Sequence, residues 1–358
     1  MATRRNRQRA ATSRDSGWAE PSRWPVVALV VAIGIAVSLW ESRRFLSSPA
    51  APIAATQLTP AATAPVPIAT KPPPPELQAQ ATSPTIPATS VPTPHLRVFT
   101  EQAPLLPAHR ILTYYGHPHD ANMGILGEYD IEELHSLLLA EVANYAAADP
   151  TRPVIPAFEI IATVAQGSPG EDGNFILETD MKTLTAYADF AEANGMLVFL
   201  DLQIGRETVE DEIAKVRDLL RRPHVHLALD PEFAIRDGET PGIHIGELTA
   251  EQIRTAQGVL AAIVREEGLP PKVLIVHQFR EDMIIGKTRL GPVPGVQLVI
   301  DADGFGTPKL KEESYDYLVR LQPVGFAGFK LFYRQDQPVM SARDVLSLDP
   351  PPDLIIYQ

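Results

Sequence analysis

Leu227-Ala-Leu-Asp-Pro-Glu-Phe233 is an apolar run that ends in two carboxylates, Asp230 and Glu232. Side chains alternate along a strand, so a spacing of i and i+2 points both acids the same way if the extended backbone continues through Pro231. The run is the fourth of eight such stretches. The others are 111–115 (ILTYY), 153–164 (PVIPAFEIIATV), 196–203 (MLVFLDLQ), 272–279 (KVLIVHQF), 296–301, 325–333 and 353–358. Segments with helical spacing lie between them at 131–148, 183–194, 209–222, 250–267 and 314–321. Asn194-Gly195 and Gly268 supply helix stops just before the next strand.

Continuously apolar strands alternating with helices over about 250 residues predict a (β/α)8 barrel of the TIM type, because strands buried on both faces lose the polar alternation. An open doubly wound sheet is the fallback. Two features favour it: the interval after the fifth strand is a poor helix, and the chain reaches the eighth strand without a closing helix.

In a closed parallel barrel, chemistry gathers at the carboxyl ends of the strands. That rule nominates Tyr115 and His117 after strand one, Glu159 or Gln166 near strand two, and Asp201 and Gln203 after three. It adds Asp230 and Glu232 after four, His277 and Gln278 after five, Asp301 and Asp303 after six, and Lys330 and Tyr333 after seven. Asp201, Asp230, Glu232 and Asp301 are the candidate catalytic acids, and the others are candidate substrate-binding groups. Glu159 reads as facing outwards. The long loop 116–130 forms a wall on the same face and contributes Glu128. The plain alternative for any one of these acids is a helix cap or a loop ion pair, and for the aromatics it is core packing.

The arms of the chain differ in composition. Residues 1–23 carry six arginines against Asp15 and Glu20, and 24–40 is an uncharged apolar stretch bracketed by Trp24 and Trp40. This predicts a membrane anchor with the amino end in the cytoplasm and the remainder extracytoplasmic. A cleaved signal peptide is the rival, but Glu41, Arg43 and Arg44 intervene before the small residues it would need. Residues 41–105 hold about 14 of the 35 prolines with few large apolar residues, which predicts a spacer. At about 3.1 Å per residue it reaches well over 100 Å from a bilayer. The barrel is then expected at 106–358. With no cysteine in the chain, a lipidated-cysteine anchor and disulfides are both excluded.

The whole chain carries −13, and the basic arm leaves about −18 for the barrel domain. Such a domain repels phosphate backbones, so nucleic acid is not an expected partner. No Walker sequence, dinucleotide fingerprint or Gly-x-Ser-x-Gly elbow occurs, and no cofactor is expected.

The strand-four ending Asp230-x-Glu232 resembles the carboxyl end of the acidic motif in chitinase-like family 18 glycoside hydrolases, and the Asp-x-Glu of family 25 lysozymes. The resemblance implies a barrel acting on an aminosugar glycan, with Glu232 as general acid and Asp230 assisting it. It covers only a few residues. The upstream Asp-Gly and Asp of the chitinase motif are replaced by Val225, His226 and Ala228, and all three tryptophans lie in or beside the anchor. Two other readings remain open. A metal-dependent, amidohydrolase-like enzyme would use His117, His119, His277 and Asp301. A barrel without turnover would bind an envelope glycan or protein.

Overall fold

The computed structural model describes residues 103–358. The expected basic tail, the membrane segment at 24–40 and nearly all of the spacer lie outside the described residues. Among those described, no helix is long and apolar enough to cross a membrane.

Eight strands run in parallel: β1 (Arg110–His117), β2 (Val154–Ala165), β3 (Leu197–Gly205), β4 (Val225–Ala234), β5 (Lys272–Gln278), β6 (Val296–Ala302), β7 (Phe326–Leu331) and β8 (Leu354–Tyr357). β1 pairs with β2 through Ile111 and Ile155 and with β8 through Ile111 and Leu354, so the sheet closes on itself. The neighbours between are parallel as well. Closure excludes the open sheet and gives a TIM-like barrel.

The helices are α1 (Ile131–Ala148), α2 (Met181–Ala193), α3 (Val209–Leu220), α4 (Ala250–Glu267), α5 (Pro308–Tyr315) and α6 (Ala342–Leu346). Each starts at a side chain that accepts an N–H from the first turn: Asp130, Asp180, Thr208, Thr249, Thr307 and Ser341. That is why α5 begins at Pro308 rather than near 314, since Thr307 caps it and proline suits the first turn. After β5 there is no α-helix. Gly286, Gly291, Pro292 and Pro294 break the interval into two 3-10 turns and a two-residue strand, Ile284–Ile285, paired with Leu248–Thr249.

Strand alternation sorts the apolar side chains into two cores. Leu112, Phe158, Val198, Leu227 and Leu274 face the helices, whereas Ile111, Ile155, Phe199, Val273, Ile275 and Val299 fill the barrel. The floor is closed by Leu105 and Leu106, whose N–H groups both donate to Gln297 Oε1 (2.9 and 3.2 Å) while Gln297 Nε2 donates to Leu106 O (2.7 Å). Leu105, expected as the last spacer residue, is therefore part of the barrel. Burying each leucine there stabilises the fold by roughly 1.5–3 kcal/mol.

Candidate functional site

The inward face of each strand changes character towards its carboxyl end. On β3 it passes from Leu197 and Phe199 to Asp201, on β4 from Ala228 to Asp230, and on β5 from Val273 and Ile275 to His277. Glu159 on β2, Asp301 on β6 and Lys330 on β7 complete a buried charged layer, with Asp303 just beyond β6 and Glu232 partly open at the mouth.

His277 is its centre. Its Nε2 lies 2.8 Å from Glu159 Oε1, and its Nδ1 lies 3.0 Å from Asp301 Oδ2 and 3.3 Å from Asp303 Oδ2. With a carboxylate at each ring nitrogen, the ring is held as an imidazolium that donates at both ends. Lys330 Nζ donates to Asp303 Oδ2 (3.1 Å) and stands 3.8 Å above the Tyr115 ring, while the Tyr115 hydroxyl donates to Asp201 Oδ2 (3.1 Å).

Position within this cup separates the carboxyls by protonation. Burial, followed by the Asp201 charge, pushes Asp230 up to about 8. Burial raises Asp201 to about 6, with His277 opposing the rise. Glu232 is enclosed enough that desolvation, followed by the Asp230 charge, raises it well above the ordinary range. Asp303 moves the other way: burial opposes its ionisation, but Lys330 and hydrogen bonding to His277 hold it below the usual carboxylate value. Burial lowers His277, but the Glu159 charge and the bonds to Asp301 and Asp303 outweigh it and raise the group.

The surrounding structure fixes these groups. A Cβ at Gly328 would meet Asp301 Oδ1 at 3.0 Å and its Cα at 2.9 Å, so glycine on β7 makes room for the acid. Lys311 Nζ donates to Gly304 O (2.6 Å) and Lys330 O (2.8 Å) and pairs with Asp336 (3.2 Å), tying the loop after β6 to β7. Gln203 Oε1 accepts from Ala165 N (2.7 Å), which pins the end of β2 to β3.

The structure thus brings Tyr115, Asp201, Asp230, Glu232, His277, Asp301, Asp303 and Lys330 together. Other nominated residues lie elsewhere. Gln278 follows His277 on the strand and so faces outwards, where Lys287 Nζ donates to its Oε1 (2.6 Å). Tyr333 stacks on Tyr357 and bonds Tyr114 OH (3.2 Å), all in the outer layer. Glu128 forms a rim ion pair with Arg334 (2.8 Å) that links the first loop to the seventh. Gln166 Nε2 donates to the Val164 and Ala165 carbonyls at the end of β2. His117 sits beyond a register shift that ends β1, 3.1 Å from Thr179 Oγ1, and His119 lies 3.0 Å from Thr183 Oγ1 on the exposed rim. Neither joins His277, so the four-residue metal set does not assemble.

Glu159 is the member that sequence reasoning misplaced. Its parity with Ile155, Ala157 and Ile161, all in the inner core, sets it inside. A lone carboxylate in the middle of a strand buried on both faces needs a buried partner, and that was the available signal.

Fold and site together define a closed TIM-like barrel with a carboxylate-rich cup at its C-terminal mouth. No protein-family model matches the chain, and no curated protein matches it by sequence. Among solved structures the chain is similar to the YdhT protein from Bacillus subtilis, at 14% identity and a TM-score of 0.36, over 74% of this chain and 82% of that one.

Proposed function

We propose that this chain is a membrane-tethered, extracytoplasmic hydrolase of the glycoside hydrolase type, acting on a cell-envelope or extracellular glycan. The observation that carries this reading is the division of protons within one cup. Asp230 is pushed up to about 8 and Glu232 is raised well above the ordinary carboxylate range, both by burial first, while Asp303 beside them is held below that range by Lys330 and His277. Cleavage of a glycosidic bond needs that pairing. Glu232, the more open of the two, delivers its proton to the leaving glycosidic oxygen as the C–O bond breaks. Burial keeps Glu232 protonated until then, and an ionised carboxylate of the cup faces the positive charge that develops on the sugar ring and takes a proton from the water that forms the new bond at the anomeric carbon. The tether and the side of the membrane rest on the arginine-rich tail and the apolar 24–40 segment.

Release of reducing ends from peptidoglycan and chitin oligosaccharides by the full-length protein in detergent tests the proposal. Glu232→Gln is expected to lower turnover by about 10²–10⁴-fold while keeping binding. A wild-type protein that binds a glycan tightly and turns over none would make the barrel a binder and remove the acid role from Glu232.

One observation favours a metal-dependent hydrolase as the second reading. Ligand atoms of Glu159, Asp201 and His277, and of His277, Asp301 and Asp303, lie within 4.8 Å of one another in each trio. Both trios share His277, whose two nitrogens already donate to carboxylates, so an ion in either has to replace a ring proton. Metal content measured on protein purified without a histidine tag separates the two readings: a stoichiometric transition metal lost on changing His277 selects the second.

A further inference from the structure

We infer that the cup recognises a sugar bearing a free ammonium group, lodged against Asp230, in preference to an acetylated, neutral or acidic sugar. The inference rests on the reading of the cup as a glycan site and narrows its substrate class to glycans with unacetylated amino sugars.

Carboxyls outnumber cations in the cup: with Asp230 and Glu232 holding protons, Glu159, Asp201, Asp301 and Asp303 still stand against two cationic side chains, His277 and Lys330. Both cations are already engaged. His277 is taken by Glu159, Asp301 and Asp303, and Lys330 by Asp303 and the face of Tyr115.

The state of the polar atoms points the same way. Tyr115 OH, both nitrogens of His277 and Lys330 Nζ all act on carboxylates of the cup. The buried atoms of the cup that lack any hydrogen-bond partner are all carboxylate oxygens: Glu159 Oε2, Asp201 Oδ1, Asp230 Oδ1 and Asp301 Oδ1. A complementary ligand must therefore bring donors and positive charge, since buried acceptors left unmatched are costly. A carboxylate, sulfate or phosphate brings neither, and the acidic domain repels it. A neutral hydroxyl supplies a donor without charge. An ammonium supplies both.

Within the cup, Asp230 is the acid placed to receive it. It is buried, its Oδ1 has no partner, and it acts electrostatically on Glu232 two residues further along β4, so a group bound there lies beside the proposed acid. Asp201, Asp303, His277 and Lys330 are the charged groups that act on it from β3, the β6 end, β5 and β7. Its proton also supplies a signature. An ammonium beside Asp230 favours the carboxylate, so binding near pH 5.5, where an amino sugar already carries its own proton, expels the Asp230 proton to buffer, whereas a neutral sugar has no such requirement.

The test is calorimetric titration of the full-length protein with β-1,4-linked oligomers of glucosamine, N-acetylglucosamine and glucose, in buffers of differing ionisation heat at about pH 5.5, where the glucosamine amines are charged before binding. The expected result is glucosamine oligomer binding at least about tenfold tighter than either counterpart, with net proton release. Asp230→Asn should bring the three within about twofold and abolish the release. Equal or tighter binding of the acetylated or neutral oligomer overturns the ammonium assignment and leaves the glycan reading standing. Failure of all three to bind overturns the glycan reading itself. One equivalent of zinc or manganese that binds alone and excludes the glucosamine oligomer assigns the free oxygens to a metal. The wild-type comparison decides the matter even if Asp230→Asn does not fold.

Discussion

The lower and upper halves of the barrel interior are built from the same strands and bury most of their side chains, yet follow opposite rules. Below, Leu105, Leu106, Ile111, Phe199, Val273, Ile275 and Val299 make a largely apolar plug, with Gln297 satisfied at the floor and His226 against the Phe199 ring accepting the Val273 N–H at 3.1 Å. Above, the same inward positions carry Glu159, Asp201, Asp230, His277, Asp301 and Lys330, with four buried carboxylate oxygens left without partners. Removing a carboxylate from water costs several kcal/mol even after relaxation, and well-packed apolar residues would usually serve stability as well or better. The lower half is thus the part that holds the barrel together. The upper half costs stability, and its cost is intelligible if the groups act on a ligand.

The largest expected contrast is in activity. Glu232→Gln should lower glycan turnover by about 10²–10⁴-fold with little change in melting temperature, because Glu232 sits at the partly open mouth. A large loss of stability instead would place Glu232 among the structural charges. Next comes His277→Leu, which strands Glu159, Asp301 and Asp303 together. A loss of about 3–5 kcal/mol is expected in denaturant unfolding, as when one partner of a buried pair is removed. Phe199→Ala in the lower half should cost a similar amount, about 3–5 kcal/mol, by opening a cavity. The two should differ with pH. The His277 cost is expected to shrink on acidification, when the stranded carboxyls become neutral, whereas the Phe199 cost stays level. Parallel pH profiles would break the distinction between the halves.

Much of this contrast was legible in the sequence, because a single physical rule writes it there. Strands buried on both faces read as continuous apolar runs, and the acids and bases that interrupt them gather mostly towards their carboxyl ends, so Asp201, Asp230, His277, Asp301 and Lys330 stood out without any structure. The failures share one cause. Where both faces are apolar, hydrophobicity no longer reports which residues point inwards, and His277 and Gln278 looked equivalent although adjacent side chains take opposite faces. The same loss of parity hid Glu159 and placed Tyr333 in the cup rather than beside Tyr114 and Tyr357. The interval after β5 was read as a poor helix because its glycines and prolines are local signals, and it is 3-10 turns for that reason. The ion pair between Glu128 and Arg334 joins loops far apart in the chain, and no local pattern announces it.

The smallest expected effect has the most informative sign. Asp230 titrates near 8 in the fold against about 3.9 in an unfolded chain. A raised folded value means that the folded state binds the extra proton between those limits, so this group's contribution to stability is complete below about pH 4 and is lost as pH rises through about 8. Asp201, raised to about 6, and His277, raised as well, act in the same direction. Lys272 at the barrel base is lowered to about 7 by burial and acts oppositely above that pH, which is why the wild-type profile alone does not isolate Asp230. The difference between wild type and Asp230→Asn does. An amide is neutral at every pH, so the two proteins should melt within about 2 °C of each other at about pH 4, where the unfolded chain begins to ionise. At pH 8.5 the variant should melt higher by roughly 4 °C or more, given about 2–4 °C per kcal/mol for a domain of this size. A gap of the same size at both pH values would mean that Asp230 is already ionised and paired in the fold. The ligand-free cup would then contain its own counter-charge, and the stability cost assigned to the upper half would have to be sought at Asp201 instead.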